Sequence, residues 1–132
     1  MEAKHGTSVT NLIKLLLAQP EQLYVTDSRD HALRYANAQA TGVVSADYGE
    51  QQQNSVILSI SCDDAKWINR GESHNTLDAT EAIVTSWKIE SAIVRFSDYP
   101  NTLYGTRHTD YMDRNSVLEF LLQNGIEVQI ID

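Results

Sequence analysis

Between Asp98 and Arg114 the sequence collects the side chains best suited to chemistry. Tyr99, Tyr104 and Tyr111 lie there with Arg107, Arg114 and His108, and with the carboxylates of Asp98, Asp110 and Asp113. Aromatic platforms beside arginine and histidine suit a planar or anionic ligand. In a catalytic role His108 would shuttle a proton, Asp110 two residues on would orient it, and Arg107 would stabilise developing negative charge. His108 and Asp110 are therefore the candidate catalytic pair. Tyr104, Arg107, His108 and Arg114 are the candidate ligand contacts. The plainer expectation is an edge strand over 103–107 whose tyrosines cover the core while its charges stay solvated, since tyrosine and arginine are common on exposed edges and at interfaces.

A second cluster follows Cys62, with Asp63, Asp64, Lys66, Trp67, Arg70, Glu72 and His74. It sits after a strand, where α/β proteins often place ligands, and Trp67 could wall a pocket there. Adjacent carboxylates at a strand end commonly cap the next helix, and neither zinc nor calcium ligand spacing occurs, so no metal site is expected. Cys62 continues the inward set of its strand and reads as a small buried residue. Phosphate-binding glycine loops, nucleophile elbows and HExxH patterns do not occur, and no cofactor is implied. His5 and His31 lack patterned partners and read as surface or packing residues.

The elements that must position these groups follow from periodicity. Val9, Leu12, Ile13 and Leu16 predict a helix over 9–19, capped by Thr7 or Ser8 and stopped by Pro20. Leu23–Val25 is a short strand or connector. Asp27–Ser28 caps a second helix through Ala40, with Gly42 placed to end it. Alternation at 43–48 and 55–62 predicts an antiparallel hairpin with Gln51–Gln53 at its tip. Residues 63–70 could make two helical turns. Asp78 and Glu81 have the spacing of a capping box, and Ala79, Ala82, Ile83 and Trp87 then predict a helix over 78–88. A strand over 92–97, a helix over 115–124 capped by Asp113 or Asn115, and a strand over 126–131 complete the chain.

The order hairpin, helix, strand, helix, strand over 43–132 resembles the core topology of the cytidine-deaminase-like fold. That resemblance implies a zinc site with paired cysteines and a glutamate beside a histidine. The chain has no cysteine after Cys62, and Thr76 stands two residues after His74 where the glutamate is needed. No family is assigned.

The expected fold is α/β or α+β: a mixed sheet of about four to five strands with a central hairpin, covered by three to four amphipathic helices. Val56, Leu58, Ile60, Val94, Phe96, Val128 and Ile130 are its expected inward residues. The 132 residues suffice for one domain. Ten Lys and Arg against 18 Asp and Glu give a net charge of -8, which argues against nucleic acid and acidic membranes as partners. The longest apolar run, Leu15–Ala18, is far too short to span a bilayer. A lone cysteine and no leader-like segment fit the cytoplasm. These features point to a non-enzymatic module that binds a small anionic ligand or a protein partner and self-associates as a homodimer. The alternative is a small hydrolase or transferase acting on an anionic small molecule through the 98–114 loop.

Overall fold

The first seven described residues already depart from the periodicity reading. In the computed structural model, which describes residues 2–43, 49–63, 67–69, 80–107 and 111–132, Glu2–Ser8 is a strand, β1. The alternation of Ala3, His5 and Thr7 with Lys4 and Gly6 is the period-two pattern of a strand. Ser8 then caps the helix α1 (Val9–Ala18), its side chain accepting from the Asn11 N–H. Strand β2 (Leu23–Thr26) leads to α2 (Arg29–Thr41), which Ser28 caps and Gly42 ends in the left-handed conformation. Strand β3 (Ser55–Cys62), the two-residue β4 (Ile68–Asn69), β5 (Thr80–Val84) and β6 (Trp87–Val94) follow. Helix α3 (Arg114–Gln123), capped by Asp113, and strand β7 (Glu127–Ile130) close the chain.

The class is mixed α and β, with seven strands among the described residues in one sheet in the order β4-β5-β2-β1-β3-β6-β7. Among these strands only β6 and β7 pair in parallel, with α3 between them in the chain. The expected helix over 78–88 is instead β5 and β6 with a two-residue link. Its apolar residues fit either period, and β-branched Ile83 and Val84 suit the sheet that receives them. Ile68–Asn69 is likewise strand rather than helix. The proposed 43–48 partner of β3 falls on residues of which 44–48 lie outside the described set, and both edges of β3 are taken by β1 and β6. The order that resembled the deaminase core is not the one observed, since β5 and β6 stand where the helix over 78–88 was expected.

The link between β5 and β6 shows how the sheet is shaped. Two residues span at most about 11 Å between flanking Cα atoms, whereas four strand spacings in a flat sheet would need about 19 Å. The sheet must therefore fold over, bringing β4-β5-β2 against β3-β6-β7. One core accordingly takes Val25, Ala82 and Val84 from one half with Val56, Ile60 and Ile89 from the other, under α1 and α3 through Leu12, Ile13, Val117 and Leu121. Helix α2 packs on the opposite face through Ala32, Leu33 and Ala36 against Ile57. Of the expected inward set, Val56, Leu58, Ile60, Val94 and Phe96 are buried and Val128 is half-buried. Ile130 is 38% exposed, as the last residue of β7 at the edge of the sheet.

Candidate functional site

The corner of the folded sheet is where the backbone comes apart. Strand β1 pairs with β3 at every residue from Glu2 to Ser8, and β2 pairs with β5 along its whole length. Between β1 and β2 the register holds one pair among the described residues, Lys4 with Thr26. Beyond it the strands diverge and leave a cleft of about 690 Å³, within the range of small-molecule sites. The lining comes from both faces of the sheet: His5, Thr7, Asn11 and Lys14 from the α1 side, and Tyr24, Tyr35 and Glu81 from the α2 side. The Asn11 amide donates to Gln39 Oε1, tying α1 to α2 across the opening.

Close approach of α2 positions the polar groups. Gly6 lies so near the helix that a Cβ on it would stand 1.8 Å from the Ala32 carbonyl oxygen. A glycine inside a strand marks such an approach. The Ser28 cap accepts from the His31 N–H and so sets His31 in the first turn, with Tyr35 one turn later on the same face. Opposite them, Glu81 stands in β5 beside Thr26. Glu81 and His31 are both buried, and His31 Nε2 lies 2.6 Å from Glu81 Oε1. The Tyr35 hydroxyl donates to the same oxygen at 3.0 Å. The Tyr35 ring meets the His31 ring edge-on, with centroids 4.8 Å apart. A buried carboxylate is thus held by two donors from one helix, the condition under which burial is tolerated.

On β1, His5 Nδ1 lies 2.6 Å from the Tyr24 carbonyl oxygen. A carbonyl only accepts, so Nδ1 carries the proton and Nε2 is the acceptor. Burial lowers the His5 pKa below its ordinary value, with the bond to Tyr24 opposing it, and keeps the ring neutral near pH 7. Lys4 and Lys14 add positive charge to the lining, and Glu81 is its one carboxylate among the described residues. The Lys4 ammonium is steadied by Ser59 Oγ at 2.8 Å and Glu2 at 3.3 Å. In a chain of net charge -8 this local balance is inverted.

Of the residues expected from the sequence, Trp67, Tyr104, Arg107 and Arg114 do not line this cleft. Tyr104 is 3% exposed: its hydroxyl accepts from the Ser97 N–H at 3.0 Å and its ring packs edge-on against Phe96. It exchanges both backbone hydrogen bonds with Met112, so a short antiparallel bridge lies within the long connection. Burial raises its phenol pKa. Arg114 sits with its guanidinium 5.1 Å from the Phe96 ring centroid. Together with Tyr99, Tyr104 and Arg114 line a smaller hollow of about 310 Å³. Arg107 is exposed. His108 and Asp110 lie outside the described residues, as do Asp64, Lys66, Arg70, Glu72 and His74. Trp67 is half-buried against the main core, and Cys62 is buried with its thiol pKa raised by desolvation.

His5, His31, Tyr24, Tyr35 and Glu81 escaped the periodicity reading. Gly6, a glycine two residues before the serine that caps α1, was the available signal for the cleft. Comparison with protein-family models, curated proteins and solved structures finds no match. Among the described residues no helix is long and apolar enough to cross a membrane.

Proposed function

We propose that the protein binds a planar, anionic, nucleotide-type molecule in the β1–β2 cleft and breaks its N-glycosidic bond, passing the ribosyl group to water or another nucleophile. The observation that carries this reading is Glu81, a buried carboxylate in a cleft lined also by two tyrosines, whose other charged groups among the described residues are cationic. Tyr24, 60% exposed, and Tyr35 offer ring faces to a planar group. Lys4 and Lys14 suit phosphate oxygens, and His5 Nε2 suits a sugar hydroxyl. The small anionic ligand expected from the sequence is retained, with its site moved from the 98–114 loop to the cleft.

The choice of reaction follows from what one carboxylate can do. Glycoside cleavage ordinarily uses two, one of them to protonate the leaving group. A single carboxylate suffices when the leaving ring needs no proton, as with a pyridinium nitrogen bonded to C1′. That nitrogen takes the bonding pair and departs as a neutral ring. The positive charge passes to the sugar as an oxocarbenium ion, which the Glu81 carboxylate stabilises more strongly in a shielded cleft than in water. Water then adds to C1′ and loses its proton to solvent.

NAD+, a pyridinium dinucleotide, is the probe. Wild type is expected to bind it with a rise in melting temperature and to release nicotinamide, followed by chromatography. Glu81→Gln should keep binding within a few-fold and lower turnover by about 100-fold or more. Binding without release would leave a binding module, the function favoured from the sequence. Neither binding nor release at millimolar NAD+ would overturn the proposal.

A further inference from the structure

We propose that two copies of the chain pair through the outer edge of β7, as antiparallel strands about a two-fold axis at Val128, so that one sheet runs through both copies. The pairing uses none of the residues that line the cleft. Among the described residues β7 pairs with β6 alone and ends the sheet, whose opposite end is the two-residue β4. The Ile131 N–H donates to the Val94 carbonyl at 2.9 Å. Backbone groups of successive residues alternate between the two edges of a strand, so Glu127 and Gln129 also turn theirs to β6, while Val128 and Ile130 turn theirs outward. Natural sheets blunt such an edge with lysine, proline or a bulge. Strand β7 (Glu127–Ile130) contains neither residue, and its register with β6 runs without a shift.

The residues along this edge select a second copy as its occupant. With Val128 opposite Val128, the two valines exchange both backbone bonds, and each Ile130 N–H meets the Ile126 carbonyl of the other copy. The Ile126 N–H needs no partner there, since it already donates to the Leu121 carbonyl. Each exposed Glu127 then faces the exposed Gln129 of the other copy, whose amide donates to the carboxylate. The two Glu127 side chains stay two residues, about 7 Å, apart along the strands. Glu127 is the one charge on β7, so a chain of net charge -8 meets its own copy here without setting like charges opposite each other. An axis at Gln129 would set Glu127 against Ile131 and lose that pairing, which is why the axis falls at Val128.

The test is the mass of the full chain by gel filtration with light scattering, and its dimer dissociation constant by sedimentation equilibrium. Wild type should run at twice the mass of one chain at micromolar concentration. Gln129→Glu sets carboxylate against carboxylate at both symmetry-related positions and should weaken the dimer about tenfold. Gln129→Lys should tighten it, and Gln129→Glu combined with Glu127→Lys should return the constant close to the wild-type value. Both positions are exposed, so circular dichroism and melting temperature should stay those of wild type. If Gln129→Glu does not fold, Gln129→Lys decides: an unchanged constant overturns the inference. Wild type that stays monomeric to millimolar concentration overturns it, whatever other strand the edge accepts. A dimer indifferent to all three variants forms through another surface and overturns it as well.

Discussion

At Gly6 a single hydrogen decides whether α2 can reach the sheet. A methyl group there would meet the Ala32 carbonyl oxygen at 1.8 Å and the Ala36 nitrogen at 2.7 Å, and both are backbone atoms that cannot rotate away. Gly6→Ala should therefore push α2 outward and cost about 3 kcal/mol, the upper end of overpacking. Because His31 and Tyr35 ride on that helix, NAD+ binding should weaken in the same variant. Urea denaturation and a thermal-shift titration check the two effects, and an unchanged urea midpoint would show that the helix yields freely. The 98–114 segment gives the contrasting case. Tyr104→Ala removes a buried ring and the acceptor for the Ser97 N–H, and should cost about 3–5 kcal/mol as other large core truncations do. Arg107→Ala, on an exposed residue, should stay within about 0.5 kcal/mol. Equal effects in the two variants would show that Tyr104 is not the packing residue of this segment.

Elements that carry their own start and stop signals were legible in the sequence. Both α1 and α2 begin at a serine that accepts a hydrogen bond from the third residue on, and α3 begins at Asp113 in the same way. For α2 the cap also aims a functional residue, since the N–H it accepts from is that of His31. Ser28→Ala should cost about 1 kcal/mol in stability and lower turnover more than it lowers NAD+ affinity, which calorimetry and steady-state kinetics measure separately. Strands over 55–62 and 126–131 were legible because one face of each alternates cleanly. The segment 80–91 was not, because Ala82, Ile83 and Trp87 fit a helical stripe as well as two strands, and sheet partners distant in sequence, Leu23–Thr26 for one strand and Val56–Cys62 for the other, made the choice. Strand β1 was missed because all of its 7 residues except Ala3 are polar or glycine. The site was illegible for the same reason on a larger scale: Glu81 meets His31 across 50 residues and Tyr35 across 46, with no local spacing to announce either contact.

Across the whole molecule, two groups on separate elements tie stability to pH in separate windows. His5 has its pKa lowered in the folded state, chiefly by desolvation. Between its unfolded value, about 6.5, and its lower folded value, the unfolded chain binds more protons than the folded one, so stability falls as pH drops through that interval. Asp113 has its pKa lowered by the Ser116 N–H that it caps. Its contribution is present above the ordinary aspartate value and is lost as pH falls through the folded value, so its loss begins at lower pH than that of His5. Urea midpoints of wild type from pH 8 to pH 3 should therefore decline in two stages. His5→Asn, which keeps a donor for the Tyr24 carbonyl, should remove the upper stage and leave the lower. Asp113→Asn, which keeps an acceptor at the helix start, should flatten the lower stage and leave the upper. Because His5 crosses the gap between β1 and β2, the upper stage reports the integrity of the cleft corner while the lower reports α3. NAD+ at saturating concentration should therefore shift the upper stage to lower pH and leave the lower one in place. A shift of both stages together would mean that the ligand stabilises the fold without engaging His5.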